Sequence, residues 1–520
     1  MRVLSAGAAN GCVAEFAHMR LAIIAVIIAA IGVGCGGRTG SPMVPPPAAA
    51  GPPAMRWVPA KPTYLFASQT LGDGQRTLRD AIELAGNLGG FDARDVAQAV
   101  TGLLGVDALS ADPTAAIGVD LRGSWAVFSD DVSPTVVVHL AAPDQMAAFL
   151  DRQRERGLVT HSVIVDRIEV FSATLIGGLK IGWAIAGDWM WIHVALPFVR
   201  EEPGAWFAAS HTAHPAAWAD DWAWARAAAG GAAGLIGYLG HGTVARVVAA
   251  LPHAAACARL LEPAGRMGVA LEGDEHHFAA RIALEVGSTA TLGGMVVAPP
   301  PGWDAATAHA ALGVQWNLDA AAARSQLART AAPCLALAGG LAARLDETGV
   351  RTARAAVLGF NADEMSGTGA VALDLASAAF FERQLDRIPL RRAVERSRTF
   401  GGHRGHSIAI PFSVTIDYVL EPTLAIAALG DGLLARVVAP GAPHAAPIAA
   451  LDLEPPALSA AAWETLLRAL VEQDLSAPSG GVSGRAIKRV VEHLLRWREI
   501  HLAVTTESTA LVLSVSGQRR

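Results

Sequence analysis

Four sets of residues in this 520-residue chain have chemistry to offer. The first is Gly405-His406-Ser407-Ile408-Ala409, which has the spacing of a serine nucleophile elbow with alanine in place of the last glycine. Such a serine works where a strand delivers it to a sharp turn and a helix follows, leaving its hydroxyl beside backbone donors. Here GGHRG precedes Ser407 and IAIPFSVTIDYVL, a β-like run, follows it, so Ser407 is expected in a glycine-rich loop entering a strand. The second set is histidine: His211 with His214, His403 with His406, and the adjacent His276-His277, near Asp220, Asp221, Asp274 and Glu275. A metal needs three or four converging ligands, and no pair lies in an H-E-x-x-H helix or beside a cysteine knuckle, so no metal or other cofactor is assigned. The third set is cysteine. Cys257 and Cys334 are expected to form a disulfide if the compartment is oxidising, the alternative being two buried free thiols.

Tryptophan is the fourth set. Seven of thirteen fall between Trp183 and Trp224, a concentration with two readings. Trp206, Trp218, Trp222 and Trp224 could form a contact surface, because an indole is apolar with one hydrogen-bond donor. In the structural reading, Trp183, Trp189 and Trp191 lie on both faces of a sheet, and Trp218 and Trp222 form an i, i+4 stripe on a helix packed against it.

Cys35 stands apart from the other cysteines. It follows Arg20 and LAIIAVIIAAIGV, thirteen apolar or glycine residues at positions 21–33. A membrane span needs about 20 apolar residues, so this run has the length of a secretory h-region, and Met19 can serve as its start. The residues IGVGCGG at 31–37, with small residues before the cysteine, resemble the lipobox of bacterial lipoproteins, with Gly32 where leucine is usual. That resemblance implies a diacylated thiol at Cys35, a palmitate-bearing lipid anchor and a location in the cell envelope. Gly36 stands in place of the aspartate associated with inner-membrane retention, which favours the outer membrane, with the body facing the periplasm or the cell surface. The Gly/Pro/Ala-rich residues 35–56 have no hydrophobic periodicity and read as a semi-extended tether.

The remaining body is 52% hydrophobic and 17% charged over the whole chain, enough for a large core. A net charge of −6 and only three lysines, Lys61, Lys180 and Lys488, give no basic field for nucleic acid. Helices are expected from Thr77, whose spacing to Asp80 suggests a capping box, from Asp92, from Asp144 to Gly157, and over RAIKRVVEHLLRWREI near the C-terminus. Strands are expected in SWAVFSD, PTVVVHL and the meander VIVDRIEVFSATL, LKIGWAIAG and DWMWIHVAL.

Two stretches echo others. VVVHLAAPDQMAAFLDRQ at 136–153 matches VALDLASAAFFERQ at 371–384, and GDWMWIHVALP at 187–197 matches GDGLLARVVAP at 430–440. The fold class is α+β, with duplicated units of antiparallel β-meander and packed amphipathic helices. The expected division is a signal peptide (1–34), tether (35–56), first unit (57–200), middle helix and hairpin region (201–310), second unit (311–440) and C-terminal helix with hairpin (441–520). This layout and the string IGVDLRGSWAVFSDDVSPTVVVHLAAPDQMAAFLDR resemble uncharacterised bacterial envelope lipoproteins over residues 60–200 and, weakly, 330–440, and the resemblance brings no known active site with it. The expected role is a non-catalytic binding or scaffolding module, with a membrane partner through its lipid and an envelope protein or lipid as ligand. The alternatives are a lipid carrier and, more remotely, an envelope hydrolase.

Overall fold

A computed structural model describes residues 51–520 except 61, 90–92, 130–132, 176–178, 196–203, 212–217, 229–233, 241–242, 244–264, 275, 287–292, 331–344, 365, 387–393, 410–414, 441–445, 474–483 and 508. It is a mixed α/β structure whose paired strands are antiparallel, in two compact units. One unit holds the described residues up to 243 with 266–274 and 278–283, and the other holds 265, 276–277 and the described residues from 284 onward. Among the described residues no helix is long and apolar enough to cross a membrane.

The first unit opens with a 3-10 turn, Pro53–Trp57, then β1 (Tyr64–Ser68), α1 (Leu71–Gly89), α2 (Ala93–Leu104), α3 (Ala111–Ala116), β2 (Trp125–Ser129) and β3 (Thr135–His139). Next come α4 (Pro143–Glu155) and four meander strands: β4 (Thr160–Val165), β5 (Ile168–Thr174), β6 (Lys180–Ala186) and β7 (Trp189–Ala195). The unit closes with α5 (Ala205–Ala208), α6 (Ala219–Ala228), β8 (Leu235–Leu239), β9 (Met267–Gly273) and β10 (His277–Glu285). Its strands run β10-β9-β8-β1-β2-β3-β7-β6-β5-β4 across the sheet. Burial selects one face: Leu65, Ala67, Ala126, Phe128, Val137, Ala184 and Trp191 share a core with the 3-10 turn, α5 and α6.

The second unit contains α7 (Trp303–Thr307), β11 (Leu312–Trp316), α8 (Ala320–Thr330), β12 (Val350–Asn361), β13 (Ser366–Leu375) and α9 (Ala379–Leu385). It continues with β14 (Glu395–Phe400), β15 (His403–Ala409), β16 (Thr415–Glu421), β17 (Leu424–Leu429), α10 (Leu433–Val437) and β18 (Ala449–Leu453). Then follow α11 (Ala460–Gln473), α12 (Gly484–Leu494), β19 (Trp497–Glu507) and β20 (Ala510–Arg519). The strand order is β20-β19-β18-β11-β12-β13-β17-β16-β15-β14. Trp303, Ala372, Val419, Ile426 and Leu434 belong to a core formed with α7 and α10.

Most expected elements form, with shifted ends. Helix α1 begins before Thr77, because a capping box sits one threonine earlier: Thr70 Oγ1 accepts from the Asp73 N–H at 3.1 Å and donates to Asp73 Oδ2 at 2.6 Å. Thr77 is a buried mid-helix residue. The C-terminal helix stops at Leu494, and Trp497 and Glu499 already pair in β19. The match between 187–197 and 430–440 fails. The first stretch is the turn into β7, whereas the second enters α10 through Gly430 and Gly432 at φ 118° and 70°. Leu433, Leu434, Val437 and Val438 recur at helical spacing and are all buried, which selects a helix over a strand.

Candidate functional site

The tryptophans of the first unit form a socket. Strand alternation puts Trp189 and Trp191 on one face of β7, while Trp183, paired with Ile192, lies on the other. Onto the first face folds the turn Pro53–Trp57, with Ala54 and Met55 buried. The Trp57 ring meets Trp191 edge-on at 5.2 Å and 69°, and Trp189 at 6.2 Å and 65°. The Arg56 guanidinium lies 4.6 Å above Trp57 and 5.1 Å above Trp189, so its charge stays near solvent while two π faces hold it. The Ala54 N–H donates to Ser124 Oγ at 2.9 Å, which satisfies one donor of the turn inside the core.

Helix α5 closes the neighbouring side. Phe207 meets Trp191 at 5.3 Å and 88°, and Trp206 stacks on His193 at 5.0 Å and 6°. His193 is itself oriented by Thr135 Oγ1, 2.9 Å from its Nδ1. Trp206 can approach the sheet because residue 182 is glycine: a Cβ there would lie 2.9 Å from the indole Cζ2. Trp218 and Trp222 are 8% and 5% exposed and belong to the core, so they cannot supply a contact surface. Trp206 and Trp224 are half-buried, and Trp224 carries the Arg266 guanidinium 4.7 Å above its ring. Arg266 also pairs with Asp221 at 2.7 Å.

The second unit contains a polar cluster around Arg354. Arg354 on β12 is 1% exposed, and burial pulls the pKa of its guanidinium below the usual value while Asp374 opposes that shift. Its Nη1 donates to Asp374 Oδ2 at 2.9 Å, its Nε to Asn317 Oδ1 at 2.6 Å and its Nη2 to the Val297 carbonyl at 2.8 Å. Thr352 also bonds Asp374. With these partners the cluster holds a buried charge inside a packed sheet. The first unit has a weaker pair, His139 Nδ1 to Asp120 Oδ2 at 2.9 Å. Burial acts to raise the Asp120 pKa, but the N–H of Arg122 and the His139 ring hold it below the ordinary carboxylate range.

Ser407 sits inside β15, buried, opposite Arg396 and Asp417, with no strand-to-helix turn around it. Its neighbour His406 occupies the other face, stacked on Tyr418 at 5.2 Å. His403 pairs with Glu421 at 3.0 Å, and His211 with Asp166 at 2.8 Å. Asp274, His276 and His277 lie at the turn between β9 and β10. Among the described residues no group of three or more His, Cys, Asp or Glu could hold a metal ion. Cys35, Cys257, Cys334, His214 and Glu275 lie outside the described residues. Sequence reading missed Trp57, Arg56 and His193, whose roles come from cross-strand neighbours; the only local signal was the Pro-Pro pair at 52–53 ahead of an aromatic.

No family model matches the chain, and no curated protein matches it. Among solved structures, crystal forms IV, I and III of TP0453 are similar at 9%, 9% and 10% identity. The matches cover 45%, 45% and 46% of this chain and 80%, 79% and 81% of those, with TM-scores of 0.26, 0.27 and 0.26.

Proposed function

We propose that the chain is a bacterial envelope lipoprotein, acylated at Cys35, that acts as a tethered, non-catalytic binding or scaffolding module facing the periplasm or cell surface. The observation that carries this reading is the socket. The end of the Gly/Pro/Ala tract and the residue after it, Pro53–Trp57, are clamped by Trp189, Trp191 and the Arg56 stack, so the leash has a fixed exit point on the body. Nineteen positions separate Cys35 from buried Ala54 (54 minus 35). At about 3.1 Å per residue, such a leash holds the body within about 60 Å of its lipid. Confinement of that kind raises the effective concentration of a binding module near envelope neighbours.

The body is, in this reading, a tandem duplication of one ten-stranded unit. Support comes from the identical strand orders and from register. Val137 pairs Trp191 as Ala372 pairs Ile426, Ala184 pairs Trp191 as Val419 pairs Ile426, and Val163 pairs Val170 as Arg398 pairs Gly405. Every one of these equivalences has the same spacing of 235 (372 minus 137). Equivalent cross-strand rings also stack alike: Phe171 with Trp183 and His406 with Tyr418, each at 19°. Each unit is entered by a short proline run and a turn, two prolines at 52–53 and three at 299–301, with Met55 N bonded to Pro52 O at 2.8 Å and Trp303 N to Pro300 O at 2.9 Å.

Labelled palmitate tests the anchor. Label should enter the full chain made in bacteria and be lost in Cys35→Ser, which should also leave the membrane fraction. A mature product that carries no label and still begins at its initiator methionine would overturn it.

A further inference from the structure

We infer that strand β4 is a self-recognition edge, pairing antiparallel with β4 of a second copy of this chain; this does not depend on the lipid anchor. Among the described residues β4 pairs on one side only, with β5. His161, Ser162, Val163 and Ile164 are all exposed, and Ile164 and the adjoining Val159 are 78% and 73% exposed. No Asp, Glu, Lys or Arg occurs from 157 to 165. A neutral, β-branched, uncovered edge is a template for another strand, and sheets normally guard such edges with charge.

The edge is also held ready. Asp166 and Arg167 form a left-handed two-residue turn at φ 49° and 69° that ties β4 to β5. Asp166 Oδ2 is held 2.8 Å from His211 Nε2, and the His211 Nδ1 lies 2.9 Å from the Phe207 carbonyl. Val163 and Val165 pack against Gly204, where an added Cβ would come within 3.0 and 2.9 Å of their methyls. The strand is therefore fixed in its extended form before any partner arrives, which lowers the ordering cost of association.

The choice of a second copy rests on charge. A two-fold axis through Ser162 sets Ser162 against itself, Val163 against His161, Ile164 against Thr160 and Val165 against Val159, with no like charges opposed. The strand at the same place in the second unit, β14, carries Glu395, Arg396 and Arg398. The equivalent axis through Ser397 would set Arg396 against Arg398, and like charges directly opposite are destabilising. One edge admits its own copy and the other repels it.

Sedimentation velocity on the full chain carrying Cys35→Ser, with Cys12→Ser, Cys257→Ser and Cys334→Ser, tests this without acyl chains or native thiols. A concentration-dependent dimer is expected, and Ile164→Lys, at a solvent-facing position, should raise its dissociation constant about tenfold or more. Ser162→Cys should then give a disulfide-linked dimer on oxidation, and Ser397→Cys should not. A monomer at every concentration, or a dimer indifferent to Ile164→Lys, would overturn the inference. So would a monomer that binds phosphatidylglycerol vesicles through Ile164, which would assign the edge to lipid. None of these results bears on palmitate incorporation, so failure here is distinct from failure of the anchor.

Discussion

The two units share a strand order and differ in what fills it. At positions related by the 235 spacing, the first unit carries Trp189, Trp191 and Gly182, and the second carries Leu424, Ile426 and Asp417. In the first, large rings reach across the sheet to a turn and a helix, and glycine makes room for them. In the second, smaller aliphatics suffice because α7 and α10 press directly on the sheet. One frame thus supports either an aromatic socket or an aliphatic core, provided the residues on the buried face keep their total volume.

The buried ion pair should separate the units most sharply. Arg354→Ala removes the guanidinium from Asp374, Asn317 and the Val297 carbonyl and leaves the Asp374 charge with Thr352 as its remaining partner in the cluster, at an expected cost of about 3–5 kcal/mol. Hydrogen exchange should show the loss in β11 to β13 and spare β1 to β3. His139→Ala removes a pair whose side chains are 32% and 26% exposed, so the first unit should lose less than about 1 kcal/mol. Equal losses in the two units would undo the contrast.

The socket comes next. Trp57→Ala deletes two edge-on ring pairs, each worth about 0.5–1.5 kcal/mol. Rapid proteolysis near Arg56 with an unchanged global transition is the expected readout. Trp57→Phe should restore protection, because the buried Trp57 indole N–H has no hydrogen-bond partner to lose. A protected Trp57→Ala chain would mean that the leash is not held there.

The smallest effect concerns pH in the second unit. A hydrogen bond to Asp452 leads in raising the His501 pKa above 6.5; desolvation works against it, and the nearby Glu499 adds to the rise. A raised folded value means that this stability is fully present below about 6.5 and fades as pH climbs through the folded pKa. His501→Gln should flatten thermal stability over that window. Because both partners are nearly half exposed, the change is expected to be slight.

Much of this frame was legible in the sequence, since alternation and turn residues announced β2 to β7, and glycine marked the end of α4. In the match of 136–153 with 371–384 both stretches run from a strand into a helix, β3 into α4 and β13 into α9. The second match misled because a shared Gly-Asp turn looks alike before a strand and before a helix, and the side-chain period decides. The socket was hidden for another reason. Trp57 lies more than a hundred residues from Trp189 and Trp191, and only strand order brings them together. The Arg354 cluster was equally invisible, being assembled from β12, β13 and a residue before α7.

Crosslinking tests the proposed duplication most directly. Val136 with Ile192 and Val371 with Ala427 are equivalent cross-strand pairs, each joining strands that are not consecutive in the chain. Replaced by cysteines two at a time, with Cys257 and Cys334 changed to serine, both pairs should close on oxidation as single intramolecular disulfides located by peptide mass. The displaced pair Val371→Cys with Ala425→Cys should stay reduced. Closure in one unit alone, or closure of the displaced pair, would contradict the common register.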